Sequence, residues 1–232
     1  MSFQNPVFVA VDRPDLEGAE GLVRAVAPHV GGIKLGLEFL FARGPDGVRR
    51  LGRLGLPIFL DAKLHDIPNT VAGAMRGVVE LPVAMVTLHA AGGLEMMRTA
   101  VEIANASEAR LRVLAVTVLT SLDRGDLEAT GQLGTATEQA LRLADLALQA
   151  GCHGIVCSPL EVGAMRAAFG SAPELVVPGV RPKAGGDDQK RTLDPLETMA
   201  AGANRLVIGR PITAAADPVA AARAIALDLG AG

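Results

Sequence analysis

Ten consecutive residues carry the densest chemistry in the chain: Asp61-Ala62-Lys63-Leu64-His65-Asp66-Ile67-Pro68-Asn69-Thr70. Asp61 and Lys63 close the apolar run PIFLDAK (57–63) and lie two apart. Residues two apart on a strand share a face, so the carboxylate and the ammonium are expected side by side. Each then keeps the other charged. A lysine so held can deliver a proton to a centre where negative charge develops. The same pair is also compatible with an ordinary ion pair closing the end of a strand layer. Asp66 adds a second carboxylate in a stretch that Ile67-Pro68 stiffens. His65, with no second histidine close in sequence, reads as a loop contact rather than a ligand.

Other ionisable or polar residues interrupt apolar runs at equivalent places: Asp12, Lys34, His89, Thr120, Ser158, Arg181 and Arg210. Lys and Asp are rarely buried without a partner, so such interruptions mark either a polar rim or a site. Lys34, in GGIKLG, can join Asp61, Lys63 and Asp66 in an array of alternating charge. Two glycine-bearing segments, Pro178-Gly179-Val180-Arg181 and Ile208-Gly209-Arg210-Pro211, have the composition of an anion site. Glycine lets backbone N–H groups approach an oxyanion, and Arg210 offers a fork of donors for phosphate. A glycine serving only a tight turn is the plainer alternative. PKAGGDDQKR (182–191) suits a lid over a substrate or a solvated loop.

These residues need a frame that brings them together. Eight short apolar runs recur: 7–11, 31–36, 57–63, 84–90, 112–120, 154–158, 175–180 and 205–210. They are near-continuous rather than alternating, which suits parallel strands covered on both faces. Helical patterns fall between some of them: 15–27, 94–106, 135–150 (opened by Thr135-x-x-Glu138 and closed before Gly151) and 158–169. Strand and helix alternation predicts an α/β fold with a parallel sheet. Eight repeats in 232 residues predict a (β/α)8 TIM barrel, with residues 1–232 as a single domain. A doubly wound sheet is the competitor, but VFVAVDRPD lacks the glycine-rich turn expected after its first strand. In a barrel, the residues named above fall at the C-terminal strand ends, where function resides.

Composition narrows the class further. Hydrophobic residues make up 50% and charged residues 20%, too apolar for a disordered chain. Twenty-two Lys+Arg against 25 Asp+Glu leave a formal charge of −3, without the basic excess of a nucleic-acid binder. With no Trp, no Tyr and six Phe, base-stacking platforms are not expected. Cys152 and Cys157 have no second pair to complete a metal site and read as buried thiols. The N-terminal segment lacks a basic and apolar leader pattern, and no apolar run approaches the roughly 20 residues of a membrane span. A cytoplasmic protein with no membrane partner is expected.

The pattern D-x-K-x-x-D-I-P-x-T, here Asp61, Lys63, Asp66, Ile67, Pro68 and Thr70, resembles that of the orotidine 5′-phosphate decarboxylases. The likeness is to the bacterial group bearing LHDIPNT and extends along nearly the whole chain, through Asp12, Lys34, HAAGG (89–93), VTVLTS (116–121), PGVR (178–181), DDQKR (187–191) and IGRPI (208–212). Ala62 stands where Leu is more usual, and the lid segment is about a residue short. The resemblance implies a (β/α)8 barrel that dimerises and converts orotidine 5′-phosphate to UMP and CO2, the last step of UMP synthesis. It implies neither metal nor organic cofactor. By position it makes Lys63 the proton donor to C6, with Lys34, Asp61 and Asp66 completing the charged network. Asp66 and Thr70 would reach in from the partner subunit. Asp12 and Lys34 would meet the ribose, Thr120 the pyrimidine, and Arg181, Gln189, Gly209 and Arg210 the phosphate. Two rivals remain at this level: a 3-keto-gulonate-phosphate decarboxylase type, whose carboxylates hold Mg2+, and a non-catalytic barrel that binds a phosphorylated ligand.

Overall fold

A computed structural model describes residues 5–132, 134–181 and 193–231. Eight parallel strands close into a barrel in sequence order. They are β1 (Val7–Ala10), β2 (Gly32–Leu35), β3 (Ile58–Leu64), β4 (Met85–His89), β5 (Arg112–Val116), β6 (Gly154–Val156), β7 (Glu174–Pro178) and β8 (Arg205–Ile208). The helices are α1 (Leu16–Val26), α2 (Leu37–Gly52), α3 (Pro68–Val78), α4 (Leu94–Ala106), α5 (Arg124–Ala129), α6 (Ala136–Gln149), α7 (Val162–Phe169), α8 (Pro195–Ala200), α9 (Arg210–Thr213) and α10 (Pro218–Asp228). The β1–β8 pairing, Phe8 opposite Val207, closes the ring. The expected (β/α)8 barrel is the fold observed.

Local chemistry fixes the helix starts. Asp15 caps α1 by accepting from the Gly18 N–H. Ala19, Leu22, Val23 and Val26 then recur on its buried face. Thr135 and Glu138 form the reciprocal capping box at the start of α6. Ser158 and Glu161 do the same ahead of α7. Helices α2, α3, α5, α8, α9 and α10 escape the sequence reading, and the first two show why. Gly44 (φ +57°) and Pro45 interrupt the first and kink it. The second begins at Pro68, a good first helical residue that also looks like a turn.

Two apolar layers follow from covering both faces of the sheet. The outer one lies between strands and helices. The inner one fills the barrel with Phe8, Ala10, Phe59, Met85, Leu114, Val116, Val156, Val176 and Val207. Gly32 leaves room for the Phe8 ring beside it; a side chain there would collide with it. At the N-terminal end of the barrel, buried Glu174 of β7 pairs with Arg112 of β5 (2.9 Å) and Arg205 of β8 (3.0 Å). These three charges plug the end opposite the strand termini discussed next. Among the described residues no helix is long and apolar enough to cross a membrane.

Candidate active site

A cavity of about 600 Å3 opens at the C-terminal ends of the strands. That volume suits a small organic ligand. Asp12, Lys34, Asp61, Lys63, Thr120, Arg181, Gly209 and Arg210 all line it. Eight positions singled out in the sequence, from six strands and the loops after them, thus meet around one space.

Its charged side is built by β1, β2 and β3. Lys34 is buried and its Nζ donates to Asp12 Oδ1 at 2.7 Å. The pair runs over bare backbone at Gly36, where a Cβ would come within 2.8 Å of Nζ and 2.9 Å of Oδ1. One strand over, Lys63 Nζ donates to Asp61 Oδ2 at 2.6 Å. Two lysine–aspartate pairs therefore stand on neighbouring strands at the cavity wall. Phe59, Val116, Val156 and Val207 supply an apolar lining to the same cavity.

The backbone that presents Lys63 is not regular strand. Leu60 pairs with Val86 and Leu64 with Leu88, so three residues of β3 oppose Thr87 alone on β4. This is a bulge, and Lys63 takes a left-handed conformation within it (φ +49°). Simple alternation predicts that Asp61 and Lys63 both line the mouth; they do, but through an irregular backbone. Thr87, absent from the sequence reading, sits at the bulge with a fully buried side chain. Its Oγ1 accepts from the Lys63 N–H at 2.9 Å and donates to Asp61 Oδ1 at 2.8 Å. Its one sequence signal is a hydroxyl in the middle of the apolar run MVTLH. Glu38, at the first turn of α2, also lines the cavity and was not anticipated.

The loops after β7 and β8 form the facing wall. Gly179 has φ +75°, a conformation that other residues enter only with strain. Val180 pairs with Leu193, and the Arg181 N–H donates to the Leu193 carbonyl at 3.0 Å, which ties the base of this loop to the start of α8. Gly209 precedes the short α9, whose first residue is Arg210. Gln189 and the rest of the segment 182–191 lie outside the described residues.

Asp66 and Thr70 are not brought to this cavity by their own chain. Both are exposed, and the Asp66 carboxylate accepts from the Ile67 N–H at 2.7 Å. His65 is exposed and lies against His89, with ring centroids 5.6 Å apart. Burial holds the His89 imidazole below the usual histidine range, and positive charge on His65 and Lys63 pushes the same way. Cys157 is buried at the cavity wall. Cys152 lies at the other end of β6, where burial pushes its thiol up to about 12. Neither is in a disulfide, and Cys152 is protonated at neutral pH.

Fold and site define a (β/α)8-barrel protein whose polar groups gather at the C-terminal mouth, the place where barrel enzymes assemble their chemistry. Residues 5–225 match the sequence model of the orotidine 5′-phosphate decarboxylase / HUMPS family, and the chain belongs to that family. The orotidine 5′-phosphate decarboxylase of Paramagnetospirillum magneticum is 53% identical, covering 97% of this chain and 99% of the relative. That of Anaeromyxobacter dehalogenans is 54% identical over 96% of this chain and 97% of its own length. Among solved structures, the orotidine 5′-phosphate decarboxylase of Lactobacillus acidophilus superposes with a TM-score of 0.85 at 34% identity, covering 97% of this chain and 98% of that one.

Proposed function

We propose that this chain decarboxylates orotidine 5′-phosphate to UMP and CO2, the closing step of UMP synthesis, as a cytoplasmic enzyme working as one barrel unit over residues 1–232. The observation that carries the reading is the Asp61–Lys63 pair, held at 2.6 Å in a cavity whose far wall is the glycine–arginine loops after β7 and β8. A fixed ammonium and an anion grip thus share one space of nucleotide size. The names of the relatives, at 53% and 54% identity over nearly the full chain, support the substrate.

In this reading the phosphate rests on Arg181, Gly209 and Arg210, with Gln189 joining from the lid segment. Thr120 faces the pyrimidine, and Asp12 with Lys34 faces the ribose. The bond from C6 to the carboxyl carbon breaks and leaves its electron pair on C6. The Lys63 ammonium stabilises that charge, strongly because the apolar lining keeps water away. It then gives a proton to C6 and is recharged from solvent. Asp61 keeps the ammonium charged and aimed, and Lys34, paired with Asp12, completes the charged network. Binding energy from the remote phosphate aligns the ring and closes the site.

Asp66 and Thr70 enter from a second copy of the chain, completing each site in a homodimer. What supports this is their exposure beside Ile67, a large apolar side chain left 66% exposed at the start of α3.

The metal-dependent rival needs carboxylate oxygens free for Mg2+. Here Asp61 spends one oxygen on Lys63 and the other on Thr87, which supports the metal-free reading. The test is the loss of orotidylate absorbance on adding purified protein with EDTA present. Full turnover is expected. No turnover, or turnover abolished by EDTA and restored by Mg2+, would overturn the proposal.

A further inference from the structure

We infer that Thr87 is a positioning residue for the reaction, setting the geometry of the Lys63–Asp61 pair without touching substrate. The inference rests on the roles proposed above for Lys63 and Asp61.

The bulge in β3 creates a problem that Thr87 solves. Between the Leu60–Val86 and Leu64–Leu88 pairings, β4 offers one residue to three on β3. In a regular ladder, an N–H such as that of Lys63 finds a carbonyl on the neighbouring strand. Here the Thr87 hydroxyl oxygen takes that place, accepting at 2.9 Å. Lys63 sits in the left-handed region, a conformation that a non-glycine residue keeps only when its surroundings hold it there.

The same hydroxyl then fixes the carboxylate. A hydroxyl has one proton to give. An amide N–H can only donate and an ionised carboxylate can only accept, so the Thr87 proton is committed to Asp61 Oδ1, 2.8 Å away. Asp61 Oδ2 accepts from Lys63 Nζ at 2.6 Å. The result is a closed ring: Lys63 N–H to Thr87 Oγ1, Thr87 O–H to Asp61 Oδ1, and Asp61 Oδ2 to the Lys63 ammonium. Both ends of one lysine are locked through one hydroxyl and one carboxylate. Thr87 is fully buried, so solvent does not compete for these bonds. It does not line the cavity itself.

Thr87→Val keeps the shape and removes the hydroxyl. Misplacing a reacting group by about 1 Å costs roughly 100-fold in rate, so a fall in kcat of about 10- to 100-fold is expected. Substrate KM and UMP affinity, set by the far wall, are expected to stay within about two-fold. Thr87→Ser restores the hydroxyl, and kcat is expected to return to within about three-fold of the parent. A merely structural residue would lower the melting temperature and the active fraction without this split between kcat and KM or this rescue.

Wild-type kcat in Thr87→Val would overturn the inference, as would kcat and KM moving together with no rescue by Ser. Should Thr87→Val fail to fold, Thr87→Ala serves the same purpose, and wild-type kcat there is equally fatal. Lys63→Ala, assayed alongside, keeps the two readings separable. Turnover surviving in Lys63→Ala sinks the assignment of the proton donor, whereas an inactive Lys63→Ala with a fully active Thr87→Val sinks only the positioning role.

Discussion

Replacing Glu174 by Gln tests whether the charges at the N-terminal end of the barrel serve stability and nothing else. Glu174 is buried and accepts a hydrogen bond from Arg205 at 3.0 Å, while Arg112 Nε stands 2.9 Å from its other oxygen as an ion pair without hydrogen-bond geometry. The amide leaves two guanidinium groups facing one neutral acceptor. Breaking a buried ion pair from one side costs about 3–5 kcal/mol. The two partners do not contribute equally. The Arg205 side chain is 12% exposed and falls in that range, whereas Arg112 is 42% exposed and behaves as a surface pair worth at most about 1 kcal/mol. Gln keeps the volume and one acceptor, which argues for the lower end, about 3 kcal/mol in all.

For a chain of this size, each kcal/mol moves the melting temperature by roughly 2–4 °C. The expected drop is therefore about 6–12 °C, read by calorimetry or by circular dichroism on heating. Turnover below the transition is expected to stay within about two-fold, because the change lies at the barrel end remote from the cavity, where barrels keep stability rather than chemistry. A shift under about 2 °C would show that the triad is already paired with water and contributes little. A large loss of kcat with an unmoved melting temperature would refute the separation of the two ends.

Three further outcomes are expected. Arg210→Ala should weaken UMP binding about ten-fold, the lower end for a charge-assisted hydrogen bond at an exposed side chain, while uridine affinity moves less than about two-fold; titration calorimetry with both ligands checks this, and equal losses would remove Arg210 from the phosphate. Mixing inactive Lys63→Ala and Asp66→Ala chains should regain about a quarter of wild-type activity, since random pairing makes half the dimers mixed and each of those holds one intact site; no recovery after subunit exchange would deny the shared site. Stability should fall as pH drops below about 6.5. Burial depresses both His89 and His153 when folded, and the His153 Nδ1, which accepts from the Val113 N–H at 3.1 Å, must stay unprotonated to do so. The unfolded chain then binds more protons in that window, so the stabilisation present at higher pH drains away on acidification. His153→Gln should flatten the dependence of melting temperature on pH, and an unchanged slope would contradict the burial argument.

The strands were legible because a parallel barrel needs continuous apolar runs, and VFVAV, AMVTLHA and RLVIGR are such runs. Their ends were less so. The run 112–120 stops being strand at Val116, because Thr117 to Thr120 turn over the cavity mouth. The run 154–158 stops at Val156, because Ser158 is already capping the turn before α7. Both misreadings come from apolar residues doing loop work over a pocket. Asp61 and Lys63 were legible because charge at the end of an apolar run is costly without a purpose. The bulge that carries them was not, since nothing in DAKLHD distinguishes an irregular backbone from a regular one. Thr87 was invisible for a related reason: threonine is an ordinary strand former, and only the bulge opposite gives its hydroxyl two partners.

The bulge also explains why the lysine–aspartate pair and the barrel core can lie so close together. Phe59 belongs to the inner apolar layer, and Asp61 follows it by one turn of the pleat. An unbroken strand would carry Lys63 straight on toward solvent. The left-handed step at Lys63, with three residues set against one, keeps its ammonium against Asp61 beside Val116, Val156 and Val207. Charges in such a setting act through a lower effective dielectric than charges on the rim, so the same ammonium exerts a stronger pull on negative charge arising at a bound ring. The strain of the left-handed residue is held by one buried hydroxyl, and the pair of Asp12 and Lys34 on the adjoining strands balances the local charge. The cation is thereby held charged and aimed, which is what the proposed reaction needs if Lys63 is to lower the barrier to a carbanion rather than merely bind an anion.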